Sequence, residues 1–124
     1  MDLTDWDDIQ EVASTLIKHA VISASSTDNT IVAAVTGKRI RVISVFLTAS
    51  TVCTVAFESS TTTPLTGTMN FFAKDGGAIS TGTATGSLVL PANLLGWFQT
   101  DVGELLNLTV SAGTISGSLS YIEI

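Results

Sequence analysis

The stretch Arg39-Ile40-Arg41-Val42-Ile43-Ser44-Val45-Phe46-Leu47-Thr48 decides how the rest of this 124-residue chain is read. It carries β-branched and aromatic residues in unbroken succession, and it has neither the three- and four-residue apolar spacing of a helix nor the length of one. By strict alternation Ile40, Val42 and Phe46 fall on one face, while Ile43, Val45 and Leu47 fall on the other. Both faces are then apolar. A two-layer fold buries only one face of each strand, so the second requires a cover, from an N-terminal helix or from a neighbouring subunit.

Outward from this strand the same grammar repeats. Segments rich in Val, Ile, Thr and Phe occur at about 19–24, 30–36, 39–48, 51–58, 66–73, 78–82, 86–90, 105–111 and 114–123. Turn formers separate them, among them Thr36-Gly37-Lys38, Thr62-Thr63-Pro64, Asp75-Gly76-Gly77, Asp101-Val102-Gly103 and Ala112-Gly113. Eight or nine short strands at this spacing predict an all-β antiparallel sandwich or barrel, and no helix-length segment intervenes to carry parallel crossovers. The run from Leu88 to Phe98, dense in large apolar residues around Pro91, is expected to close one end of the core. Composition agrees with the β reading. Thr and Ser supply 19 and 14 residues, while charged residues are only 13% of the chain, so the surface is built largely from hydroxyls.

Residues 1–17 differ from everything after them. Trp6, Ile9, Val12, Ala13, Leu16 and Ile17 recur at helical spacing, and Thr4 followed by Asp5, Asp7 and Asp8 resembles an N-cap with an acidic first turn. The chain divides into an acidic helix or arm over 1–17 and a β domain over 18–124. Of its 11 acidic residues, five lie within the first eleven positions, so the formal charge of −6 belongs mostly to this segment. The stripe of Trp6, Ile9, Val12 and Leu16, with Ile43, Val45 and Leu47 of the two-faced strand, forms the expected partner or oligomer interface.

Little in the sequence supports catalysis. The single histidine, His19, reads as a surface or hydrogen-bonded residue, and the single cysteine, Cys53, as a small core residue beside Val55 and Phe57. One of each cannot assemble a tetrahedral zinc site, and Asp75-Gly76-Gly77 lacks the ligand alternation of a calcium loop. Neither a Gly-x-Ser-x-Gly elbow nor a phosphate-binding glycine pattern occurs. No catalytic residue, metal, cofactor or small-molecule substrate is expected. Lys38, Arg39 and Arg41 are the only basic cluster, too small for nucleic acid, and Arg39 and Arg41 alternate onto one strand end where a structural or interface use is expected. Asn107-Leu108-Thr109 matches a glycosylation acceptor but falls inside an expected strand. An acidic start and the absence of an apolar run of about 18 residues predict a chain that folds in the cytosol that makes it, without a membrane span.

Three stretches carry a resemblance: residues 28–42, which include Val35-Thr36-Gly37-Lys38; residues 96–108, which include Thr100-Asp101-Val102-Gly103-Glu104; and Gly117-Ser118-Leu119-Ser120-Tyr121-Ile122-Glu123. Over roughly 20–124 the chain resembles small all-β virion proteins of tailed bacteriophages, of the capsid decoration or cement type. The resemblance implies a jelly-roll-like sandwich and a homotrimer on the outer surface of the phage head. It further implies that the protein, made in the host cytoplasm, fastens subunits of the major capsid protein. A head-fibre, tail or adhesin module that holds a host glycan is the alternative, and exposed aromatics among Phe71, Phe72, Trp97, Phe98 and Tyr121 would mark it. Residues 1–17 have no counterpart in that pattern.

Overall fold

The computed structural model describes residues 16–25, 27–71 and 86–124. Every element in these residues is a strand: β1 (Lys18–Ser25), β2 (Asp28–Val32), β3 (Ile40–Ala49), β4 (Cys53–Ser59), β5 (Thr63–Pro64), β6 (Met69–Phe71), β7 (Gly86–Leu90), β8 (Phe98–Gln99), β9 (Leu106–Val110) and β10 (Thr114–Glu123). The helix expected before Lys18, the strand expected at 78–82 and Phe72 lie outside the described residues, apart from Leu16 and Ile17 at the end of the first. The expected 30–36 strand stops at Val32, and the short β5 and β8 were not foreseen.

All pairings are antiparallel. Sheet A runs β1-β10-β3-β7, with β8 also on β3, and sheet B runs β2-β9-β4-β5, with β6 also on β4. The two sheets share one core, in which Ile22, Val42, Leu47, Ile115 and Leu119 of sheet A meet Val55, Phe57, Leu106 and Leu108 of sheet B. Phe57 and Phe98, one from each sheet, stack with ring centroids 4.9 Å apart at a 36° tilt. Burying a side chain as large as Phe57 contributes about 2 to 3 kcal/mol, so a core of this many members offsets the chain entropy without cross-links. Cys53 is free and buried, as its alternation with Val55 and Phe57 predicts.

The reading of β3 as a strand with two apolar faces is corrected by its register. Ser44 lies opposite Ser120, but Val42 lies opposite Tyr121, so Ile43 is an extra residue in a β-bulge. The bulge changes the parity of the strand. Ile40 and Val42 face the core before it, and Val45, Leu47 and Ala49 face the core after it, all five buried. Phe46 is thereby placed on the outside, away from Ile40 and Val42 with which simple alternation grouped it. The core face is continuous, and the requirement for a cover over a whole second face disappears.

The three stretches that carry the resemblance converge at one end of the molecule. The Gly103 amide donates to the Lys38 carbonyl at 2.8 Å, and Arg39 exchanges two backbone hydrogen bonds with Ile124. Thr100, fully buried, accepts from the Ile40 amide through Oγ1 at 2.9 Å and donates its own amide to the Ile40 carbonyl at 3.0 Å. The turn at 100–104 is pinned from the other side by Ser59, whose hydroxyl donates to Glu104 and accepts the Asp101 amide, each at 2.9 Å. These motifs therefore tie strand ends together, which is a structural role.

Candidate functional site

On β7 and β8 the chain follows one edge of β3, with Leu90 opposite Val45 and Phe98 opposite Val42. Seven residues, 91–97, separate those two partners, while only Ile43 and Ser44 separate theirs. The excess length leaves the edge as a compact excursion. Its base is fixed by the Asn93 amide on the Ile43 carbonyl and the Trp97 amide on the Val42 carbonyl, both at 2.8 Å. Its interior is fixed by Asn93, which accepts the Leu95 amide through Oδ1 and the Gly96 amide through its carbonyl. The Trp97 indole N–H donates to the Pro91 carbonyl at 2.8 Å.

Gly96 is required at this position. Its φ is +86°, and a Cβ there would overlap the Arg41 Cγ and sit 2.6 Å from Cδ, so the loop backbone lies directly on the arginine stem. Arg41 in turn donates through Nε to Gln99, and Arg39 donates to the Thr100 carbonyl. Both arginines serve the edge of sheet A. Leu88, Leu90 and Phe98 pack on the core, but Leu94, Leu95 and Trp97 do not, and Leu95 is 84% exposed. The expectation that the whole 88–98 run closes the core is thus corrected: its middle is an apolar tip held in place by at least five hydrogen bonds.

Next to the tip, the outer face of sheet A carries a row of residues in direct register across four strands: Val21, Ser118, Phe46 and Val89. Val21 is 79%, Phe46 54% and Val89 68% exposed. Ser44, Ser120 and His19 flank this row on one side and Thr48, Ser116, Ser87 and Ser23 on the other.

The outer face of sheet B is of another kind. Asn107, buried on the central strand β9, donates through one amide nitrogen to Asp28 Oδ1 at 3.1 Å and Glu58 Oε1 at 2.9 Å, one carboxylate from each neighbouring strand. Beside it an open groove of about 280 Å³ is lined by Thr27, Thr54, Thr68, Thr109 and Ser111 above Ala56. No described aromatic residue lines it. Among the described residues no group of three or more His, Cys, Asp or Glu side chains is placed to hold a metal.

Of the expected interface residues, Ile43, Val45 and Leu47 are buried within this single chain, so none is presented to a partner; Trp6, Ile9 and Val12 lie outside the described residues, and Leu16 is exposed. His19 is exposed, and its Nδ1 lies 3.0 Å from the Ser120 hydroxyl. Asn107 is engaged with two carboxylates and is not offered to solvent. Of the aromatics named as markers, Phe71 is buried, Phe98 and Tyr121 are partly buried against the core, and Trp97 is exposed. Sequence reasoning missed Phe46, whose exposure follows from the bulge, and the Asp28–Asn107–Glu58 set, whose members are too far apart in the chain to be grouped by spacing.

No family model, no curated protein and no solved structure matches this chain. No helix among the described residues is long and apolar enough to cross a membrane.

Proposed function

We propose that this chain is a non-enzymatic structural protein of a bacteriophage virion, a decoration or cement protein that binds the outer head surface and stabilises contacts between subunits of the major capsid protein. The observation that carries the reading is the ordered apolar tip, Leu94, Leu95 and Trp97. A loop backbone already fixed by hydrogen bonds, with the Trp97 ring tied by its indole N–H, loses little entropy on docking, and an aromatic beside leucines has the composition of an interface anchor. Many symmetry-related copies turn a small contact of this kind into a strong one, which suits a homotrimer on a particle surface.

The strand orders support a jelly-roll reading of the fold. β1, β10, β3 and β7 on one side, and β2, β9, β4 and β6 on the other, place consecutive strands β1/β2, β3/β4, β6/β7 and β9/β10 in different sheets. Jelly rolls recur in capsid and lectin domains, so this order agrees with the cement reading without deciding it. The exposed Trp97 is the one marker of the glycan-binding alternative among the described aromatics, and no described aromatic lines the sheet B groove.

Co-sedimentation with heads that lack this protein tests the proposal. The unaltered chain is expected to pellet with the particles, with a trimer mass in solution, and Leu95→Asp is expected to reduce the bound fraction at least tenfold. Because Leu95 is almost wholly exposed, its thermal midpoint should not move. A chain that stays monomeric and never joins particles would end this reading, as would Leu95→Asp binding at full strength.

A further inference from the structure

We infer that β1 is a docking edge for a second copy of this chain, the two β1 strands pairing antiparallel about a two-fold axis at Val21. Hydrogen bonds at the end of the strand fix which of its backbone groups are left over. Thr114, opposite Ser25, donates its amide to Ser50 Oγ and accepts the Ser50 amide, so both of its backbone groups face β3. Ser25 in turn donates its amide to Asn29 Oδ1 at 3.2 Å. The two residues are thus a pair without ladder bonds. Such pairs alternate with bonded ones, so Ser23–Ser116, Val21–Ser118 and His19–Ser120 are of the same kind. Side chains approach closely in these pairs, and His19 Nδ1 does lie 3.0 Å from the Ser120 hydroxyl. The amides and carbonyls of His19, Val21 and Ser23 therefore point away from β10, and among the described residues no strand meets them.

Open edges are ordinarily blunted by short strands, prolines, charges or bulges. The other edge strands here follow that rule: β2 carries Asp28 and a register shift after Thr30, β5 is two residues long with Pro64, β6 has three residues, and β7 stops at Pro91. Within β1 there is no such device. It runs eight residues in unbroken register, and its one charge, Lys18 at the end, is bound to Glu123 of its own sheet. The edge also matches itself. With Val21 on the axis, Val21 meets Val21 of the second copy and His19 meets Ser23, so every outward residue gains a bonded pair. Lys18 then lies opposite Ala24, and no like charges face each other. The Val21–Phe46–Val89 row continues across the axis into the same row of the second copy. An edge contact is small, so the pairing is weak in dilute solution and fills as copies are concentrated. The tip of Leu94, Leu95 and Trp97 lies at the opposite edge of sheet A, so this inference and the proposed docking of that tip stand or fall separately.

Residue-resolved amide exchange in the full-length protein, over a hundredfold range of concentration, tests the pairing. The amides of Ala20, Ile22 and Ala24, which bond to β10, are expected to be protected throughout. Those of His19, Val21 and Ser23 are expected to exchange freely when dilute and to become protected as the mass in sedimentation rises. Val21→Lys sets like charges against each other across the axis, and Val21→Pro deletes an outward amide while sparing the ladder to β10; each is expected to weaken the association at least tenfold. Outward amides that stay unprotected at every concentration would overturn the inference. So would protection that does not change on dilution, which would assign the edge to a cover within the chain, or association of full strength in the folded lysine variant.

Discussion

The outer faces of the two sheets treat their central strands in opposite ways. On sheet B the central β9 presents Asn107, and a carboxylate from each neighbouring strand closes over it, so this buried amide has a partner on both sides. On sheet A the equivalent central position is held by Phe46, exposed in register with Val21 and Val89. One face is chemically complete in the single chain, whereas the other still has apolar surface to cover. The comparison teaches that a protein surfaced mainly with Ser and Thr can still concentrate exposed apolar side chains on one of its two faces.

The most severe way to break this comparison is at Gly117, opposite Leu47 in β10. A Cβ there would overlap the Phe46 carbonyl oxygen and lie 2.8 Å from the Leu47 Cα, and backbone atoms inside a sheet cannot step aside. Gly117→Ala is expected to cost about 3 kcal/mol or more and to lower the urea midpoint accordingly. A midpoint equal to that of the unaltered chain would show that β10 and β3 do not approach this closely.

A smaller effect is expected on the finished face. Asn107→Ala removes the donor shared by Asp28 and Glu58 and leaves two carboxylates facing across β9, which should cost about 2 kcal/mol in equilibrium unfolding. The restoring test is Asn107→Ala with Glu58→Gln, which removes one of the two charges. Should the double variant be no more stable than the single, the pair does not repel and sheet B is less dependent on Asn107 than its geometry implies.

The smallest effect concerns what the two sheets share. Burial raises the Cys53 thiol above its ordinary value, so the folded chain holds this proton at pH values where the unfolded chain has released it. The group's contribution is thus fully present below about pH 8.5, the unfolded value, and falls as pH rises towards the folded one, by at most about 1.4 kcal/mol per pH unit. Denaturant midpoints measured from pH 7 to 10 should fall more steeply in the unaltered chain than in Cys53→Ala. Parallel curves would mean that the thiol is not protected in the folded state.

Strand positions were legible in the sequence because alternation and turn residues act locally, as in β1, β4, β7, β9 and β10. The bulge was legible only as a contradiction. A strand with apolar residues at 40, 42, 43, 45, 46 and 47 asks for two covers if parity is held constant, and for one if parity changes at Ile43 and Ser44. What settles the parity is the partner strand, with Tyr121 opposite Val42, and pairing across nearly eighty residues leaves no local trace. The tip was hidden for a related reason. Leu94, Leu95 and Trp97 have core composition, and only the turn formers Pro91, Asn93 and Gly96 among them signal that the chain leaves the sheet there. The interface expected at Ile43, Val45 and Leu47 was drawn from the same misread parity, and all three prove to be buried within the chain.

The position of β10 has a consequence for how the molecule comes together. It lies between β1 and β3, and its partners in β1 are about a hundred residues away along the chain. Sheet A therefore cannot be laid down in order of synthesis: β3 is made early and waits with one long edge unmatched until β10 arrives. Loop closure over such separations must precede any reward from pairing, so folding should be slow for a chain of this size, in the range of milliseconds to seconds. During that wait the most apolar of the described strands is open to pairing with other copies, so aggregation competes with folding until β10 is in place.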